Sequence, residues 1–408
     1  MVPSGWSRKP VSQLFEVQLG KMLNAKAKMG SEQFPYLTNF NVQWGYFDLS
    51  KLNKMHFSKK ERLKFALRKG DILVCEGGEV GRCAIWNDEF SNCYYQKALH
   101  RLRPINDEIS TSYFYEYMRL ISGTKIIENL TSKTSIAHLT REKLLNLMIL
   151  VPPKAELDKI TQILSAWNKA IETTNKLIEN SKAQKRALMQ QLFADTKSNA
   201  GSSAKTTPIK ISELTSIYDG THSTPHYVKE GVPFYSVEHL TRDNFSDTKF
   251  ISEAVYKKEN LRVKLEKGDV LMTRIGDIGT PKYLDWDVQA SFYVSLALIK
   301  QDSAFNSQFL SYYIQSNAFQ KELWKKTIHV AFPKKINLGD LGKCVVFLPP
   351  VEDQKQIVKI LSSVDQAIKA QEQKLDCLKK EKHSLMQQLL TGKRRVKVSN
   401  SKATQAVA

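Results

Sequence analysis

Residues 151–197 open with Val151-Pro152-Pro153, carry Ile163-Leu164-Ser165 and close on Leu188-Met189-Gln190-Gln191-Leu192. Residues 348–394 repeat that plan with Leu348-Pro349-Pro350, Ile360-Leu361-Ser362 and Leu385-Met386-Gln387-Gln388-Leu389. Aligned without a gap at an offset of 197, the two stretches share 15 of 47 residues. Such a density marks an internal duplication. After each Pro pair, which ends a strand and suits a helix start, no Gly or Pro interrupts the chain for about forty residues.

Apolar positions in both copies alternate at spacings of four and three. The first seam is Ile160, Leu164, Trp167, Ile171, Thr174, Ile178, Ser181, Lys185, Leu188 and Leu192. The second is Ile357, Leu361, Val364, Ile368, Gln371, Leu375, Leu378, Lys382, Leu385 and Leu389. This heptad pattern predicts two long helices that pair along their length, most simply with each other and antiparallel, as a coiled-coil rod of roughly 60 Å. Lys185 and Lys382 fall at matching seam positions, where they can set register or, as the favoured reading, let their stems snorkel past the apolar line. Two ordinary amphipathic helices on separate domains are the alternative; their length argues against it, since soluble helices average about a dozen residues.

The intervening segments correspond more weakly, at an offset of 198. Lys69-Gly70-Asp71-Ile72-Leu73 matches Lys267-Gly268-Asp269-Val270-Leu271, and Gly78-Glu79-Val80-Gly81 matches Gly276-Asp277-Ile278-Gly279. Pro10 and Pro35 fall opposite Pro208 and Pro233. The chain therefore reads as a globular domain over 1–150, a long helix over 151–196, a flexible linker over 197–207, a second domain over 208–347, a second helix over 348–394 and a disordered tail over 395–408. Each domain reads as mixed α/β. Strands are predicted at 71–75, 81–85, 97–102, 269–273 and 291–299, with an apolar run at 147–151 and 344–348 before each Pro pair. Helices are predicted at 110–121 and 307–326. Antiparallel helices joined by the linker would relate the two domains by a pseudo-twofold axis, one chain imitating a homodimer.

The 408 residues carry a net charge of +20 with 42% hydrophobic residues, enough apolar content for buried cores. Residues 1–150 hold +8, residues 208–347 hold +2 and each repeated stretch holds +3. That spread excludes a simple basic tail and favours a polyanionic partner along a long surface, with nucleic acid leading. No stretch approaches a membrane span, and the first ten residues lack an apolar run, so a cytoplasmic location is expected. The cysteines at 75, 83, 93, 344 and 377 have no metal-binding or disulfide spacing and read as reduced thiols.

Catalytic signatures are missing. There is no phosphate loop, no His-Glu-x-x-His and no Gly-x-Ser-x-Gly. The glycines at 77–81 lack dinucleotide-loop spacing and, being duplicated, read as a hairpin turn. Pro225 breaks any helix that would bring His222 and His226 to one metal. Polar and basic loops at equivalent places are more informative, because Asn, Arg, Lys, His and Ser/Thr can read base edges or hold phosphates. The candidate DNA contacts are Asn39, Asn41, Lys97, Arg101, Ser132, Lys133 and Thr134 in the first domain. In the second they are Thr221, His222, Ser223, Thr224, His239, Arg242, Arg274, Lys325, Lys326, His329, Lys334 and Lys335.

The whole pattern resembles the DNA-specificity subunit of type I restriction-modification systems. The resemblance covers about residues 1–394. It rests on Gly5-Trp6, the Lys-Gly-Asp framework, Asp219-Gly220-Thr221-His222 with Pro225, and the repeated Pro-Pro helix ending in Leu-Met-Gln-Gln-Leu. Where that family often has Glu-Gln after the Pro pair, this chain has Glu156-Leu157 and Asp353-Gln354. The resemblance implies two target-recognition domains, each reading one half of a split, asymmetric target. The helices would space them and dock two methyltransferase subunits. S-adenosylmethionine, ATP and Mg would be held by partner methyltransferase and restriction subunits, and this chain would carry no catalysis and no metal. Two other readings compete with it: a coiled-coil scaffold bridging proteins without DNA, and a lone nuclease built on Asp71, Glu76 and Glu79.

Overall fold

The computed structural model describes residues 2–130, 138–195 and 206–398. The chain divides into two compact units, Met1–Asn175 with Gln373–Ala408, and Lys176–Glu372. The duplicated stretches are helices, Lys154–Asp195 and Val351–Leu389, so each unit owns half of each helix. Their starts follow from the sequence: the strands Met148–Val151 and Val345–Leu348 end at the Pro pairs, and the first helical amide bonds reach back to the carbonyls of Pro153 and Pro350.

Every position of both predicted seams is buried or half-buried. In the second unit Ser181 bonds Gln371, Lys182 pairs with Glu372, and Lys185 pairs with Asp365. From Ser181–Gln371 to Lys185–Asp365 the numbers rise on one helix and fall on the other, so the two run antiparallel. Where each helix end meets a globular part its apolar face widens beyond the seam. Leu157 joins Ile160 and Leu164 in one core with Met386, Leu389 and Leu390. Met189 and Phe193 join Ile357, Val358 and Leu361 in the other. Each such fully buried side chain contributes about 1.5–3 kcal/mol, against a fraction of that for an exposed pair such as Lys182–Glu372.

In each unit a four-stranded antiparallel sheet separates two cores. The first has the order Phe15–Leu19, Leu99–Pro104, Ile72–Cys75, Cys83–Ile85; the second has Ile217–Asp219, Leu296–Ile299, Val270–Thr273, Pro281–Tyr283. Side chains alternate along a strand. Thus Ile72 and Val74 face the core shared with the long helices, while Leu73 and Cys75 face a second core. Val270 and Met272 are likewise split from Leu271. Covering both faces explains why these strands read as unbroken apolar runs. Beyond the second core lies another sheet, in which Gln33–Leu37 pairs parallel with Tyr94–Tyr95 in the first unit, and Val232–Tyr235 pairs parallel with Ser291–Phe292 in the second.

Three expectations change. The run 291–299 is two strands in two sheets, because a turn closed by Leu296 N–H on the Tyr293 carbonyl redirects the chain between them. The run 307–326 is two helices, Ser307–Ile314 and Asn317–Lys326, since Ser316 caps the second by accepting from Phe319 N–H. The tail does not begin unstructured at residue 395. Arg395 makes a bidentate pair with Glu156 at 2.7 Å on both oxygens, and Trp6 Nε1 donates to the same carboxylate at 3.1 Å. Burial would raise the Glu156 carboxyl, but these bonds outweigh it and hold it below its ordinary value. The predicted linker lies almost wholly outside the described residues.

Candidate nucleic-acid interface

Both units build loop platforms on one backbone scaffold. In the second, Arg274 N–H donates to the Ser295 carbonyl at 2.9 Å, and Ile336 N–H donates to the Arg274 carbonyl at 3.0 Å. In the first, Glu76 bonds Ala98 at 3.0 Å and receives Leu139 at 2.8 Å. The glycines next along supply positive φ to the hairpin, at Gly78 and Gly81, and again at Gly276 and Gly279.

In the second unit Arg274 is a buried hub. Its guanidinium donates to the carbonyls of Val294 (2.6 Å) and Ile336 (3.2 Å) and lies 3.6 Å from Asp219. It thereby ties together the loop 219–226, the turn 293–295 and the loop 327–336. Asp219 also accepts from Arg262 Nη1 and stands 2.9 Å from His222 Nε2. Burial would raise this carboxyl, yet the Arg262 and His222 bonds prevail and hold it below the usual aspartate value. The result is a clamped loop whose His222, Ser223 and Thr224 are exposed. Beside it Lys325, Lys334, Lys335 and His329 are exposed, and Lys326 pairs with Glu322 at 3.4 Å. These groups converge through Arg274.

Other candidates hold the loops rather than face solvent. Asn41 is buried: its Oδ1 accepts from Thr38 N–H, and its Nδ2 donates to the carbonyls of Asp48 and Lys51. His239 does the same job at the duplicated position, accepting from Ser236 N–H on Nδ1 at 2.8 Å. Arg101 is buried against Glu16 (2.6 Å) and the Lys64 carbonyl, and Thr221 is buried with its hydroxyl on the Ser223 carbonyl. Asn41, His239, Arg101, Thr221 and Arg274 are thus framework groups, reassigned because burial and internal bonds use their polar atoms. Asn39 is half-buried by the first hairpin, while Lys97 and Arg242 are exposed. Ser132, Lys133 and Thr134 lie outside the described residues.

Sequence reading missed the true counterpart of Thr221, which is Lys21. Lys21 bridges the Tyr95 and Lys97 backbone as Thr221 bridges Phe292 and Val294. The signal was Gly20 matching Gly220, where a Cβ would sit only 2.3 and 2.0 Å from a facing carbonyl oxygen. It also missed the exposed apolar tips Phe40, Val330 and Phe332.

The nuclease candidates do not converge. Asp71 accepts from Arg68 N–H and is held by both nitrogens of an Arg103 fork at 2.7 Å, at the opposite end of strand Ile72–Cys75 from Glu76. Asp269 repeats the turn-capping role on Glu266 N–H. Glu79 is bonded to Trp44 and Arg82. Among the described residues no cluster of His, Cys, Asp or Glu could hold a metal ion, and no helix is long and apolar enough to cross a membrane.

Comparison with known proteins places these two platforms. The type I restriction modification DNA specificity domain matches twice, over residues 3–181 and 207–380. The type I restriction enzyme MjaVIII specificity subunit of Methanocaldococcus jannaschii is 26% identical over 98% of this chain and 95% of its own. Two solved structures share the fold. One is the S subunit of a type I restriction-modification system from M. genitalium (TM-score 0.61, 19% identity, 95% of this chain and 96% of that one). The other comes from work on complex assembly and conformational transition of a type I system (TM-score 0.59, 17% identity, 97% and 100%). With both matches falling on the two duplicated units, the chain belongs to the type I restriction-modification DNA specificity family.

Proposed function

We propose that this chain is the sequence-specific DNA-binding subunit of a type I restriction-modification complex, each globular domain reading one half of a bipartite target. The observation that carries this reading is the pairing of one scaffold with two loop sets. The backbone bonds at Glu76 and Arg274 are the same, while the groups above them differ. Different loops on a common scaffold read different base sequences, so the target is asymmetric. Exposed Lys97, Lys325, Lys334 and Lys335 supply phosphate contacts that fix position.

The paired helices space the domains, so the half-sites lie about one helical turn apart. They also offer a surface to two methyltransferase subunits. Methyl transfer then belongs to those partners, which hold S-adenosylmethionine and act on an adenine flipped from the stack. Cleavage belongs to a restriction subunit using ATP and Mg. This chain supplies the address. Membership in the specificity family weighs against a scaffold that ignores DNA.

Single-molecule methylation sequencing of the host genome with and without the gene tests the reading. Loss of methylated adenine at one bipartite asymmetric motif supports it. An unchanged methylome in cells making the protein and its partners contradicts it.

A further inference from the structure

The loop 327–336 carries an apolar tip that touches nothing. Val330 and Phe332 are 96% and 104% exposed, the latter as free as in an unfolded chain. The loop beneath them is nevertheless fixed. Ile328 N–H donates to the Lys335 carbonyl at 2.8 Å, Gly276 N–H donates to the Lys334 carbonyl at 2.8 Å, and Ile336 is bonded in both directions to buried Arg274. His329 packs on Trp324 with ring centroids 4.7 Å apart and bonds its carbonyl. A fixed stalk that holds a phenyl ring in water forgoes burial, so its gain comes on contact with a partner.

The charge beside the tip says which partner. Lys334 and Lys335 follow it directly, both are exposed, and neither has an ion pair among the described residues. An apolar tip flanked by free ammonium groups matches a base stack flanked by phosphates. It sits on the platform that also presents His222 and Thr224, tied to them through Arg274.

Resting on the DNA reading above, we propose that Phe332, backed by Val330, inserts between two base pairs of the half-site read by the second domain, while Lys334 and Lys335 hold the adjacent phosphates. The tip then reads sequence through the ease of unstacking one step, without a hydrogen bond to any base. Pyrimidine–purine steps, which unstack most readily, are the favoured occupants of that position.

The test uses the full chain with its methyltransferase subunits and duplexes carrying 2-aminopurine at successive positions of the mapped half-site. Besides the target adenine that the methyltransferase subunits flip, wild type brightens 2-aminopurine at one further step. Phe332→Ala abolishes that signal and weakens cognate binding about tenfold, with the salt slope unchanged, and Phe332→Trp retains both. Lys334→Gln with Lys335→Gln weakens binding and flattens the salt slope while keeping the signal. Unchanged binding and fluorescence in Phe332→Ala overturn the proposal. So does loss of methyltransferase capture with DNA binding intact, which makes the tip a protein-docking site. Failure of the wild-type complex to bind any duplex would instead sink the reading on which the proposal rests.

Discussion

The ammonium of Lys382, near the end of the second long helix, lies 2.8 Å from the carboxylate of Glu116 in the first globular domain. Both side chains are almost fully buried, and Asn168 of the first long helix donates to the same carboxylate at 2.6 Å. In the second unit Lys185, Tyr312 and Asp365 stand at the duplicated positions. Lys185 is 2.7 Å from Asp365, which also accepts from the Tyr312 hydroxyl at 2.8 Å. The lysine is kept in both units, while the single negative charge has moved from the globular helix to the long one. Burial pulls the Lys382 ammonium below its ordinary value, and Glu116 opposes that pull.

Removing one member of such a pair leaves the other charge buried alone. Lys382→Met is expected to cost about 3–5 kcal/mol, and the double variant Lys382→Met, Glu116→Met should recover most of it. A double-mutant cycle on thermal melts checks this. Additive effects would mean that the two groups are not coupled.

Asn41→Ala and His239→Ala should each destabilise by about 1–3 kcal/mol, since the first strands a buried backbone N–H and the second a half-buried one. Methylome sequencing of either variant should return the wild-type motif at lower occupancy. A changed motif would show that the side chain reads bases after all.

Gly220→Ala should destabilise the second unit by about 1–3 kcal/mol, because the added Cβ would lie 2.0 Å from the Phe292 carbonyl oxygen, against backbone rather than a yielding side chain. A melting temperature equal to wild type would show that the close approach relaxes freely.

Asp219 gives the clamped loop a pH dependence. Its carboxyl is held low, so its contribution is fully present above the unfolded aspartate value of about 3.9 and is lost as pH falls through the lower folded value. Wild type should therefore melt above Asp219→Asn at neutral pH, with the gap closing only in acid below that range. A gap that does not change with pH would assign the effect to packing.

The seams were legible because a heptad pattern without Gly or Pro admits few other structures, and every seam position is buried or half-buried as its spacing required. The hairpin glycines were legible for a similar reason, since their duplication marked backbone conformation rather than chemistry. Polar destinations were not. Asn41 and an exposed loop asparagine look alike in sequence, and only closure of the chain around Thr38, Asp48 and Lys51 tells them apart. The break between Phe292 and Leu296 was hidden because both flanking strands are apolar and buried. Glu116 and Lys382 stand 266 residues apart, beyond any local pattern.

The central claim is that each globular domain reads its own half of the target. Replacing residues 208–347 with the corresponding domain of another family member, and sequencing the methylome of cells making the hybrid with its partners, tests it most directly. The account predicts a new bipartite motif in which one half and the spacer are retained and the other half is replaced. An unaltered motif, or one altered in both halves, would contradict it.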